Sequence, residues 1–195
     1  MKSAAILAGG RATRFGGRDK SALIVDGRTI LDRQLAALTP LTDDVMIVGG
    51  GVAAPLPHRH VADAVPGCGP LGGLHAALTA ARGDTLFLAA CDMPYLTTAF
   101  VEYLFSLADG VDAVVPQSER GYHPLCAVYT RACLDAAAAR LAAGRLRMRE
   151  LVDNVRTRTV RIDDIRRFGD PDRLLANVNT PADFAGLEAL QGHKL

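Results

Sequence analysis

A chain of 195 residues, 49% of them hydrophobic, is long enough to bury a real core, and one domain over residues 1–195 is expected. The formal net charge of +1 excludes the overall field that draws a protein to nucleic acid or to an anionic membrane, so any anion site has to be local. No apolar run approaches the roughly 20 residues that span a bilayer, and the opening MKSAAILAGG turns glycine-rich before a signal-peptide core is complete, which predicts a cytoplasmic protein. Cys68, Cys91, Cys126 and Cys133 form no C-x-x-C pair and read as buried or half-buried free thiols rather than a disulfide framework or a zinc site.

In chain order, SAAILA, VMIVG, TLFLAA and VDAVVP are short continuous apolar runs, the pattern of parallel strands covered on both faces. Helical periodicity lies between them. Leu31, Leu35 and Leu38 share one face of a segment over 30–38, and Leu71, Leu74, Leu78 and Ala81 share one over 71–81; a further helix is expected from about Thr97. This alternation predicts an α/β fold in three layers, α/β/α, with a mostly parallel central sheet of Rossmann type. Beyond Pro116 the order is a strand at HPLCAVY, an alanine-rich helix at RACLDAAAARLAA, a strand at RTRTVRI and a last helix opened by Thr180 and Pro181. This second half is expected as an added layer on the same sheet.

The stretch from Ala5 to Ser21, AILAGGRATRFGGRDKS, places two glycine pairs, Arg14 and Lys20 directly after the first strand. In an open α/β sheet, ligands bind at the carboxyl ends of the strands. Gly9 and Gly10 let backbone come close to a ligand, while Arg14 and Lys20 bring charge to a polyphosphate, one as a fork and the other as a point charge. The loop is not a P-loop, because Asp19 stands before the lysine, and G-x-G-x-x-G is absent. The competing reading is a surface loop with incidental glycines and bases. Asp92 ends the run TLFLAA just before Met93 and Pro94, which sets a carboxylate on the same rim. Phosphate chemistry calls for magnesium, which takes one or two carboxylates plus phosphate oxygens and water, and Asp92 is the first candidate ligand.

Leu7 to Gly10, Arg14, Phe15, Gly16, Asp19 and Lys20 resemble the nucleotidyltransferase signature L-A-G-G-x-x-x-R-[MF]-G-x-D-K, with one extra residue before Asp19. GPLGG at 69–73, CDMPY at 91–95, HPL at 123–125, G-R-x-R-M at 144–148 and NVNTP at 177–181 follow in order. Over essentially the whole chain the sequence resembles the molybdenum cofactor guanylyltransferases. The resemblance implies a nucleotide-binding half over about 1–116 and an acceptor-binding half over about 117–195. It also implies transfer of GMP from GTP to the phosphate of molybdopterin, leaving pyrophosphate, with molybdoenzyme maturation proteins as further partners. By the same resemblance Leu7, Ala8, Gly9, Gly10, Lys20, Asp63 and Asp92 bind nucleotide, Arg14, Lys20 and Asp92 are catalytic, and Asp92 holds the metal. Where the family often carries a ribose-side asparagine, this chain has Val48 or Gly49.

For the acceptor, residues 140–167 hold nine arginines against four acids, a patch that suits a pterin phosphate, although the alternating arginines of RTRTVRI equally fit a solvated strand face. Arg147 matches a family arginine. His123, Asn177 and Asn179 are candidates for short polar contacts to the pterin; an asparagine pair before a helix is also a capping arrangement. Two other functions stay open on these residues. One is a cytidylyl or sugar-phosphate nucleotidyltransferase of the same fold, which A-G-G in place of A-A-G and the G-x-D-K ending disfavour. The other is a non-catalytic guanine-nucleotide carrier, which would not need both Asp92 and Lys20.

Overall fold

Ser3 through Leu7 are all buried, as befits a strand covered on both faces. In the computed structural model, which describes residues 1–8, 22–50, 58–63 and 67–178, this strand, β1 (Lys2–Leu7), lies inside an eight-stranded mixed sheet. A small hairpin follows, β2 (Ile24–Val25) and β3 (Arg28–Thr29), then α1 (Ile30–Leu38), β4 (Val45–Val48), β5 (Arg59–Val61) and α2 (Gly69–Ala80). Next come β6 (Thr85–Ala90), α3 (Thr98–Ser106), β7 (Ala113–Ser118), β8 (Gly121–Tyr122), β9 (Cys126–Thr130) and α4 (Cys133–Ala142). The described chain closes with α5 (Met148–Asn154), β10 (Thr157–Val160), α6 (Ile162–Ile165), a 3-10 turn (Arg166–Phe168) and α7 (Pro171–Leu174).

The strand order is β10-β7-β9-β6-β1-β4-β5, with β8 paired to β7 outside that path. β1 runs parallel to β4 and β6, β4 to β5, and β7 to β10, while β9 is antiparallel between β6 and β7. Leu7 is level with Val48 on one side and Ala90 on the other, so the parallel strands end along one rim. Alternate residues of β1 feed two cores. Ala4 and Ile6 pack with Leu31, Leu38, Phe100 and Leu104, under α1 and α3; Ala5 and Leu7 pack with Leu71, Leu74 and Leu151, under α2 and α5. The three-layer α/β/α architecture is therefore present, and no helix among the described residues is long and apolar enough to cross a membrane.

Some expectations change. The second half does not lie on the sheet as an added layer: β7, β9 and β10 continue the sheet sideways, and their helices extend the existing layers. The strand at HPLCAVY begins only at Cys126, because Cys126 N–H bonds back to His123 O (3.0 Å) in a tight turn. The periodicity does not reveal the β2–β3 hairpin, whose signal is Asp26–Gly27; both residues have positive φ, 51° and 75°, as two-residue hairpin turns of the mirror-image kind require. The helix expected after Thr180 lies outside the described residues.

At the opposite edge Asp44, 4% exposed, ties three strand starts together. Its carboxylate accepts from Ser3 Oγ (2.6 Å) and Arg82 N–H (2.8 Å) and pairs with Arg59 Nη2 (3.3 Å), while Ser3 Oγ accepts from Gly83 N–H (2.9 Å).

Candidate functional site

The rim is floored by the end of β1. Ala8 N–H donates to Val48 O (2.9 Å) and Cys91 N–H to Leu7 O (3.2 Å), which locks the exits of β1, β4 and β6 side by side. Gly49 and Gly50 leave β4 with φ of 73° and 58°. A Cβ on Gly50 would collide with Ala8 O, and one on Gly49 would sit 3.2 Å from that oxygen and 3.1 Å from Asp63 Oδ2. Val48 is buried within β4. A side chain is therefore excluded at Gly50 and crowded at Gly49, where the chain leaving β4 folds closely over Ala8. Asp63 follows β5, and its carboxylate stands between Gly49 and Gly73 of α2. A Cβ on Gly73 would lie 2.7 Å from Leu7 Cδ2, so the missing side chain lets α2 press against the end of β1. Leu7, Ala8 and Asp63 are thus brought together.

Asp92 lies two residues beyond β6 and is 9% exposed. Its Oδ1 accepts from Asn177 Nδ2 (3.0 Å), and its carbonyl accepts from Val178 N–H (2.9 Å). Helix capping is not its role, because Thr97 Oγ1 caps α3 by accepting from Phe100 N–H (3.3 Å). An amide donor fixes a carboxylate in space without itself neutralising it. Among the described residues no group of three His, Cys, Asp or Glu side chains could hold a metal; a hard octahedral cation that takes one carboxylate and draws its other ligands from phosphate and water fits such a donor set. Gly9, Gly10, Arg14, Lys20 and Asn179 lie outside the described residues.

His123 stands on the same rim, in the turn leading to β9, and Leu125 O accepts from Ala90 N–H (2.9 Å) close by. Its Nε2 is 2.8 Å from Ser118 Oγ, which also accepts from Arg120 N–H (3.2 Å). Either group can be the donor in the Ser118–His123 contact, according to the tautomer of the ring. Burial, reinforced by the charge of Arg120, lowers the His123 pKa below 6.5. The folded protein therefore binds fewer protons at His123 than the unfolded chain, so this contribution to stability is intact above about pH 6.5 and is lost as pH falls below it. Between pH 7.5 and 5.5 the urea midpoint of the parent should fall further than that of His123→Gln; equal falls would contradict the assignment.

A cleft of about 240 Å³, lined in part by Ser118, Arg120 and Arg166, opens beside this turn. Five arginines of 140–167 are held in ion pairs, Arg140 and Arg145 on Glu150, Arg149 on Asp153, Arg166 on Asp163 and Arg156 on Asp112, and only the last draws its acid from outside the segment, so most of the local positive excess remains. Arg158 is exposed on β10, which supports the solvated-face reading of that strand. Arg147, exposed at the N-cap of α5, makes no ion pair among the described residues, and no hydrogen bond joins it to Asp92 or His123.

Gln34 escapes the sequence reading. It is fully buried on α1, and its Nε2 donates to Ala90 O (2.7 Å), two residues before Asp92. Its signal was a polar residue set among Ile30, Leu31, Ala37 and Leu38 on the apolar face.

Residues 4–159 match the model of the MobA-like NTP transferase domain. The chain is 36% identical over 188 residues to the molybdenum cofactor guanylyltransferase of Desulfosudis oleivorans, covering 94% of this chain and 93% of that one. It is 34% identical over 182 residues to a probable molybdenum cofactor guanylyltransferase of Pelotomaculum thermopropionicum, covering 92% and 88%. Its fold is similar to a crystal structure of molybdopterin-guanine dinucleotide biosynthesis protein A from Archaeoglobus fulgidus, with a TM-score of 0.83 at 23% identity over 98% and 99% of the two chains. With four fifths of its length inside the family model and 36% identity to a relative along nearly the whole of both chains, the chain belongs to the MobA-like NTP transferases.

Proposed function

We propose that the protein transfers GMP from GTP to the phosphate of molybdopterin, giving molybdopterin guanine dinucleotide and pyrophosphate. The observation that carries this reading is the rim itself, where Leu7 and Ala8, Asp63 and an Asn177-held Asp92 converge at the ends of β1, β5 and β6. The relatives at 36% and 34% identity are named for guanylyl transfer and the molybdenum cofactor, which supports GTP as the donor and a molybdenum cofactor precursor as the acceptor. An oxygen of the acceptor phosphate attacks the α-phosphorus of GTP, the bond to the bridging oxygen breaks, and pyrophosphate leaves with that electron pair. The acceptor is already an anion, so no general base has to remove a proton. The protein's work is then alignment and charge neutralisation.

In this reading Leu7 to Gly10 seat the nucleotide, Asp63 lies at its edge, and Arg14 and Lys20 offset the charge of the triphosphate. Asp92 holds magnesium, which when bound would polarise the α-phosphate and draw off developing charge. His123, Arg147, Asn179 and the cleft beside Ser118 serve the acceptor half, and Asn177 serves it through its hold on Asp92. The setting is cytoplasmic, with molybdoenzyme maturation proteins receiving the product. Magnesium-dependent binding of GTP, measured against CTP, ATP and UTP, tests the nucleotide half. GTP preference that weakens in Asp92→Ala or without magnesium supports the reading; CTP preference, or indifference to both, would move the protein to the cytidylyl or carrier function.

A further inference from the structure

The segment that grips Asp92 arrives from far along the chain, and what fixes it lies away from the rim. Asn177 and Val178 follow α7, a single turn whose Arg173 stands four residues before Asn177. The Arg173 guanidinium lies 4.3 Å from the ring centroid of Tyr95, and that of Arg33 lies 5.2 Å from the same ring. Tyr95 is the third residue after Asp92 and is 7% exposed. Two guanidinium groups at one ring repel each other unless an anion stands between them, and Asp26 supplies it: its Oδ2 is 3.4 Å from Arg33 Nη1 and 3.8 Å from Arg173 Nη2. Arg33 also donates from Nε to Pro94 O (2.8 Å). Beneath them Val25, Ile30, Tyr95 and Val178 form a small apolar cluster apart from the two main cores.

Four segments meet here: the hairpin turn, α1, the loop that carries Asp92, and the approach to Asn177. Asp26 is the only non-glycine residue with a positive φ among the described residues, set by the two-residue hairpin turn it opens, which fixes where its carboxylate stands. A cation over an aromatic face is attracted to its quadrupole, so Arg173 on Tyr95 sets α7 against the Asp92 loop and thereby sets where Asn177 meets Oδ1. We infer that Asp26, Arg33, Tyr95 and Arg173 are positioning residues for Asp92, acting through Asn177. The role rests on the proposed function of Asp92 as the metal carboxylate.

The test uses the full chain and two readouts, one of them free of metal and nucleotide. The side-chain amide pair of Asn177, identified in NMR spectra by its loss in Asn177→Asp, reports the Asp92 contact directly. Arg173→Ala should move that pair and lower kcat by about tenfold, the lower end of what orienting partners of metal ligands cost, with KM for GTP changed less than about twofold. Arg173→Lys keeps a cation over Tyr95 and near Asp26, and should bring both readouts most of the way back. An amide pair that stays in place in Arg173→Ala, or a kcat within about twofold of the parent, overturns the inference. Full activity in Asp92→Asn would overturn the metal reading instead, and the amide pair would still judge the relay.

Discussion

Asp92→Asn should lower kcat for nucleotide transfer by about 10²- to 10³-fold, the range for losing one preorganised electrostatic element of a transition state. The substitution is isosteric, and its side-chain oxygen can still accept from Asn177 Nδ2, so the segment after α7 stays in place and the change isolates the charge. The magnesium concentration for half-maximal rate should rise. Asn177→Ala should cost less, about 10- to 100-fold, because it frees the carboxylate without removing it. Steady-state pyrophosphate release across a magnesium titration measures both. An Asp92→Asn enzyme within a few fold of the parent would show that the carboxylate at the end of β6 is not used in the transfer.

The largest stability effect is expected at the other edge of the sheet. Asp44→Ala strips one carboxylate from Ser3 Oγ, Arg82 N–H and the Arg59 guanidinium at a position 4% exposed. Orphaning the Ser3 hydroxyl and the Arg82 N–H, both bonded to this charged acceptor, costs about 2–4 kcal/mol, while the partly exposed Arg59 guanidinium keeps its water and adds little. For a chain of this size that corresponds to a fall in Tm of roughly 10 °C. Urea unfolding should show the loss, while kcat of the remaining folded enzyme stays at the parent value because the rim is untouched. A loss below about 1 kcal/mol would mean that water replaces the carboxylate.

What could be read from the sequence was whatever depends on neighbours along the chain. β1, β4 and β6 follow from continuous apolar runs and α1 from its leucine spacing, and Asp92 was visible because Met93 and Pro94 force a turn where a strand ends. The grip of Asn177 on Asp92 was not visible: the two stand 85 residues apart, and NVNTP fits helix capping equally well. The Asp44 junction was hidden for the same reason, since it forms only when the starts of β1 and β4 and the approach to β6 are laid side by side. A charge count along 140–167 cannot include a partner from elsewhere in the chain: Arg156 is taken by Asp112, 44 residues earlier. Gln34 and Asp26–Gly27 did carry local signals, one a polar residue on an apolar face and the other a turn pair between short apolar runs.

The central claim is the identity of the transferred group and of its acceptor. The most direct measurement offers the purified chain molybdopterin and magnesium with GTP or CTP labelled at the α-phosphate, and follows the label into a dinucleotide. Label from GTP in a molybdopterin dinucleotide, with one pyrophosphate released per transfer and little product from CTP, is the expected result. Product from CTP in preference to GTP, or GTP bound without any transfer, would contradict it.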